Sequence, residues 1–260
     1  MTAHNVPSLF RAPGQANHPL SGMPMWAAMG FAPLAGNLRG MAWDGSYWPG
    51  PIAEGTDGGI VLSGVTGAAT ITRRALNNVN GGIRLTVQAT ADANAQIEIP
   101  LMFGINSTDD IWFFAKVGIA DTDDIDVFIG LGTPGNTDFI AGLPAEGLFF
   151  LVEESEGDGT VSFFRRDGGT STEQSDDILT AVTDTAYILG FRYIAASGTL
   201  TPYAGTNVNA LTAGTSSTST TNLPDDAADE LSLYFGVETG NGEADYLDIY
   251  SFVAVQGPVG

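Results

Sequence analysis

Beyond residue 58, apolar and polar residues alternate along most of the chain. In Ile83-Arg84-Leu85-Thr86-Val87 and Gln96-Ile97-Glu98-Ile99, every second side chain falls on one face, the period of a half-buried strand. The pattern predicts strands at Gly59–Val65, Ala69–Arg74, Ile83–Ala89, Gln96–Phe103, Ile111–Ile119, Asp126–Leu131, Gly147–Val152, Val161–Arg165, Tyr187–Ile194, Leu200–Ala204, Leu231–Val237 and Tyr246–Val255. Glycine-rich turns separate them: Asn80-Gly81-Gly82, Gly157-Asp158-Gly159, Asp167-Gly168-Gly169 and Gly240-Asn241-Gly242. No stretch holds a helical period beyond two turns, and Asp225–Glu230 could supply one turn of helix. Short strands, tight turns and no intervening helices predict an all-β fold, a two-sheet antiparallel sandwich. Residues 212–222 are rich in serine and threonine and read as a mobile surface loop.

Composition divides the chain. Residues 1–55 carry Arg11, Arg39, Asp44 and Glu54 and are neutral, so the whole net charge of −21 lies in residues 56–260. The first part holds Trp26, Trp43, Trp48 and five of the six methionines, and its prolines oppose long helices and central strands. It is expected to be an extended N-terminal arm, with residues 56–260 forming the jelly-roll domain. Burying one large apolar side chain is worth roughly 1.5–3 kcal/mol, so such an arm is expected to pack on something. Neutrality with aromatic enrichment is an interface signature. The arm residues expected to bind a partner are Phe10, Trp26, Phe31, Trp43, Tyr47 and Trp48.

Charge and missing residue types exclude several chemistries. A body this acidic repels phosphate backbones, which argues against nucleic-acid binding. The chain has no cysteine, and its two histidines, His4 and His18, both lie in the arm. The body therefore holds no thiolate nucleophile, no histidine triad and no histidine-ligated metal. Asp121-Thr122-Asp123-Asp124-Ile125-Asp126 fails the EF-hand template, with Asp126 where glycine is needed and Gly132 where glutamate is needed. The start, MTAHNVPSLFRAPG, lacks the basic and apolar regions of a signal peptide, and Pro24–Gly36 is too broken to span a bilayer. No membrane anchor, no cofactor and no metal are expected, and synthesis is expected in a cytoplasm.

Asp124-Ile125-Asp126-Val127-Phe128 partly resembles the catalytic strand of lectin-fold endoglucanases, which sets three acids at alternate positions. Phe128 stands in the third position, which argues against a hydrolase.

Ile111–Val117, Asp126–Leu131, Gly190-Phe191-Arg192-Tyr193, Gly198–Gly205, Leu231–Gly242 and the closing strand Tyr246–Val255 together resemble concanavalin-type, laminin-G-like jelly rolls. Within that class they resemble structural proteins of tailed bacteriophages, of the head decoration or cement type. The resemblance covers about residues 59–256. It implies a non-enzymatic virion protein on the outer capsid surface, bound to the major capsid protein across capsomers, as a homotrimer. The alternative with the same fold is a carbohydrate-binding module or tail adhesin, for which Phe139 and Tyr203 are the available body aromatics.

Overall fold

The computed structural model describes residues 39–43, 55–57, 60–64, 69–73, 82–90, 93–105, 108–119, 125–135, 142–152, 159–183, 185–224, 230–239 and 245–258. These form sixteen strands: β1 (Arg39–Trp43), β2 (Gly55–Asp57), β3 (Ile60–Gly64), β4 (Thr70–Arg73), β5 (Ile83–Thr86), β6 (Ala93–Phe103), β7 (Asp109–Ile119), β8 (Ile125–Gly132), β9 (Gly147–Val152), β10 (Thr160–Asp167), β11 (Thr170–Thr180), β12 (Ala186–Ile194), β13 (Thr199–Gly205), β14 (Thr212–Ala213), β15 (Leu231–Thr239) and β16 (Tyr246–Pro258). The only helical element among the described residues is a 3-10 turn at Val208–Ala210.

Two antiparallel sheets form the predicted sandwich. Sheet A runs β14-β13-β12-β7-β16-β5-β4, with β1 also paired to β16, and sheet B runs β11-β10-β9-β8-β15-β6-β3-β2. Each strand faces the interior according to its period. β6 sends Ala95, Ile97 and Ile99 inward and Asn94, Gln96 and Glu98 outward. β7 carries an unbroken apolar run, so Ile111, Phe113, Ala115 and Val117 line the core while Trp112 and Phe114 stand on the outer face. The inner aromatics interlock. Phe163 lies 5.5 Å from Phe191, which lies 5.4 Å from Phe113, a chain of tilted contacts joining sheet B to sheet A.

One of the in-strand glycines is required by a close approach. Gly130 has φ +156, and a Cβ there would meet the Leu148 carbonyl and stand 2.6 Å from the Phe149 Cα.

Three expectations are corrected. First, the division at residue 55 does not separate two structural units. β1 lies on the arm side, yet it pairs with β16 in sheet A, Arg39 opposite Gln256 and Trp43 opposite Phe252. The prolines of this part permit it, because Pro33 and Pro49 flank β1 and none lies within it. Second, β11 was unforeseen, because TSTEQSDDILT has few apolar residues; it is held as the outer neighbour of β10. Third, residues 214–222 are not free. Arg165, buried, donates to the Ser217 hydroxyl at 3.1 Å and the Ser219 carbonyl at 2.6 Å. Gln174 donates to the Leu200 and Thr215 carbonyls, and Asn222 donates to Thr172. Hydroxyl-rich sequence suits a mobile loop, but here it closes one side of the sandwich between β11 and β13. The predicted turn at Asp225–Glu230 lies outside the described residues, apart from Glu230.

Candidate functional site on the outer face of sheet B

The strands of sheet B that alternate most cleanly build a polar patch on its outer face. Because Val127, Phe235 and Ile97 point into the core, Asp126, Glu238, Gln96 and their alternates point out. The register stacks them in rows. Glu238 on β15 stands opposite Asp126 on β8 and opposite Asn94 on β6. In the next row, Gly236 stands opposite Phe128 and Gln96; in the third, Tyr234 stands opposite Gly130 and Glu98.

The third row is closed by the chain itself. The Tyr234 hydroxyl donates to the Thr133 carbonyl at 3.0 Å, and Gly135 N–H donates to the Glu98 carboxylate at 3.2 Å. The turn after β8 thus folds back over β15 and β6. Toward β9 and β10 the same face is apolar, with Phe128 and Phe149 rings 4.6 Å apart and Leu151, Tyr234, Phe164 and Leu143 around them.

The first two rows are built differently. Asp126 and Glu238 are half-buried, while Asn94 and Gln96 lie deep. Gly236 is buried between Phe128 and Gln96, where a Cβ would make ordinary contacts beginning at 3.6 Å. Directly opposed like charges cost a sheet roughly 0.2–1 kcal/mol, so the facing of Asp126 and Glu238 is the kind of local penalty that functional sites carry. In the sequence, the connecting segments 87–92, 120–124, 153–159, 181–185 and 240–245 hold eleven acidic residues and no lysine, arginine or histidine. Among the described residues, no group of three or more acids, histidines or cysteines is arranged to hold a metal ion.

Trp43, expected to bind a partner, is a core residue. It is 6% exposed and packs on Phe252, so it has no surface to offer. Phe10, Trp26, Phe31, Tyr47 and Trp48 lie outside the described residues. Tyr203 sits within β13 rather than on a loop, half-buried with its ring 6.0 Å from Phe114; burial pushes its hydroxyl pKa up. Phe139 and Asp124 lie outside the described residues. Asp126 belongs to the patch and Phe128 is fully buried beside it. The acids of this face come from three strands, so a search for acids along one strand could not find them. The signal that was legible is polar residues at every second position of β6 and β15.

No family model matches this sequence, and no curated protein matches it. Solved structures do. Peanut lectin superposes with a TM-score of 0.57 at 13% identity, over 86% of this chain and 100% of the lectin. Arcelin-5, a lectin-like defense protein from Phaseolus vulgaris, gives 0.57 at 11% identity, over 86% and 100%. A protein of unknown function from Shewanella oneidensis MR-1 gives 0.55 at 15% identity, over 88% and 90%. The chain has the legume-lectin, concanavalin-like jelly-roll fold.

Proposed function

We propose that this protein is a non-enzymatic glycan-binding module that uses the outer face of sheet B. The observation that carries the reading is the row Asp126–Glu238–Asn94, in which two half-buried carboxylates face one another on the outer face. Carboxylates set on rigid strands are suited to bind adjacent hydroxyls. The net charge of −21 selects the ligand by charge. It opposes sialylated, uronic or phosphorylated chains and favours neutral or amino-bearing sugars. Legume lectins supply the precedent for the fold, but fold alone does not give function.

The test is a glycan array of neutral, amino-bearing and acidic chains, read for the native protein and Glu238→Gln. Binding to neutral or amino sugars that is lost in the variant supports the reading. Binding confined to acidic glycans, or unchanged in the variant, refutes this face. Release of reducing ends from any bound polysaccharide would show that the two facing carboxylates are catalytic.

A second reading, a trimeric decoration protein on the outer capsid surface of a tailed phage, is favoured by the aromatic-rich, net-neutral composition of the first 55 residues. Phe10, Trp26, Phe31, Tyr47 and Trp48 are then the contacts with the major capsid protein. Co-sedimentation with phage heads tests it: retention that falls in Trp26→Ala/Trp48→Ala supports it, and failure of the native chain to sediment refutes it.

A further inference from the structure

Arg165 is the one buried basic residue among the described residues, and no acid pairs with it there. The ion pairs of the described residues belong to Arg84 with Asp248 and to Arg192 with Asp110. Its place follows from its strand. Val161 and Phe163 of β10 face the core, and Arg165 continues that face, opposite Leu148 of β9 and Thr172 of β11. The guanidinium thus enters the space between the sheets at the side that residues 214–222 close. These run from β13, where Ser217 bridges Leu200, to β11, where Asn222 donates to Thr172. Arginine stays charged there, although burial pulls its pKa down. A buried cation with no opposite charge is costly, and this chain has thirty acids to nine basic residues from which to supply one.

The guanidinium is used on one side only. Nη1 donates to the Ser217 hydroxyl and the Ser219 carbonyl. Nε is buried with no partner, and Nη2 makes no hydrogen bond among the described residues. Together they are an edge that can grip an oxyanion by two parallel bonds. Elsewhere in the protein the same edge is filled: Arg84 donates from Nε at 2.8 Å and from Nη2 at 3.0 Å to the two oxygens of Asp248. Gln174 meets Arg165 at the Leu200–Ser217 bridge. The Ser217 hydroxyl accepts from Arg165, and the Leu200 carbonyl accepts from the Gln174 amide at 2.9 Å. A second bond from that amide to the Thr215 carbonyl fixes its orientation and leaves Gln174 Oε1 buried and unpartnered.

We infer that Arg165 and Gln174 form a site for a compact oxyanion that keeps one proton, the chemistry of inorganic phosphate at neutral pH. Two of its oxygens accept from Nε and Nη2, and its hydroxyl donates to Gln174 Oε1, so each unpartnered group meets its complement. Sulfate has the same shape but no hydroxyl. A phosphomonoester, with its second pKa of about 6, has mostly lost its own. The net charge of −21 repels anions at long range, but salt screens that repulsion, whereas a desolvated guanidinium acts at contact. The site lies between the sheets, away from Asp126 and Glu238 on the outer face of sheet B, and does not depend on the glycan reading.

The test follows the arginine Nε–H resonances of the full chain by NMR as inorganic phosphate, and separately sulfate, is added at neutral pH and constant ionic strength. The expected result is a saturable shift of the Arg165 signal with phosphate, while the signal of Arg84, already paired, stays in place. By isothermal titration, sulfate should bind about tenfold more weakly, the worth of one charge-assisted hydrogen bond. Arg165→Lys, which keeps the charge without the paired edge, and Gln174→Met should each weaken phosphate binding by about the same factor. The native chain decides the matter even if a variant misfolds. No saturable shift with phosphate, sulfate bound as tightly as phosphate, or an affinity unchanged in both folded variants would each overturn the inference. Neither substitution touches Asp126 or Glu238, so a failure here and a failure of glycan binding are separate.

Discussion

Trp43 of the first strand packs on Phe252 of the last, with ring centroids 5.8 Å apart, and so ties the start of the described chain to its end. The contact brings a residue from the neutral, aromatic-rich part of the sequence into the core of the acidic part.

Trp43→Ala is therefore expected to act on stability. Truncating a buried tryptophan costs about 3–5 kcal/mol. Urea denaturation should show the unfolding free energy lowered by that amount, with a correspondingly lower midpoint. A chain starting at residue 56 should be destabilised further, since it also loses the β1 pairing with β16. Starting at residue 39 retains both.

Gly236→Ala tests whether this strand position needs glycine. The new methyl meets only ordinary contacts, beginning at 3.6 Å from Phe128, and alanine is favoured over glycine in a strand by roughly 0.5–1 kcal/mol. The variant should be at least as stable as the native protein by thermal melting.

Arg165→Ala should release residues 214–222. It removes the donors that meet the Ser217 hydroxyl and the Ser219 carbonyl, and a hydrogen bond from a charged donor is worth about 1.5–3 kcal/mol. Limited proteolysis should show new cleavage within 212–222 while the rest of the sandwich stays intact.

Lys116 is the only lysine in the sequence and is half-buried on the outer face of sheet A, where desolvation pulls its pKa below the ordinary 10.5. Between the lowered folded value and 10.5, the unfolded chain binds the proton more than the folded one does. This group's contribution to stability therefore rises with pH across that window. Lys116→Met should be more stable than the native protein at pH 7, and the gap should narrow as pH approaches 10.5. Paired urea titrations at pH 7, 9 and 10.5 check the trend.

The net charge of −21 should make the fold salt-sensitive. Like charges repel one another, and screening at 0.15 M sets in within about 8 Å. The melting temperature should rise as NaCl increases from 10 mM to 0.5 M. Replacing Glu153 and Glu154 with Gln should reduce that rise.

Much of this protein was determined by local sequence. The alternation in Ile83–Val87 and Ala95–Ile99 set those strands and their inward faces, because a period of two permits only one face to meet a core. Three of the four glycine-rich connections join antiparallel neighbours, β4 to β5, β9 to β10 and β10 to β11, whereas that from β15 to β16 passes between the sheets. Tertiary structure alone decided which strands lie side by side. The period says that Asp126, Glu238 and Asn94 each point outward, but their meeting in one row depends on β15 being inserted between β8 and β6, a pairing across more than a hundred residues. β1 entered sheet A for the same reason: the free energy that holds Trp43 comes from Phe252 at the other end of the chain. β11 and residues 214–222 escaped the sequence because hydrogen bonds to neighbours, rather than an apolar stripe of their own, hold them in place.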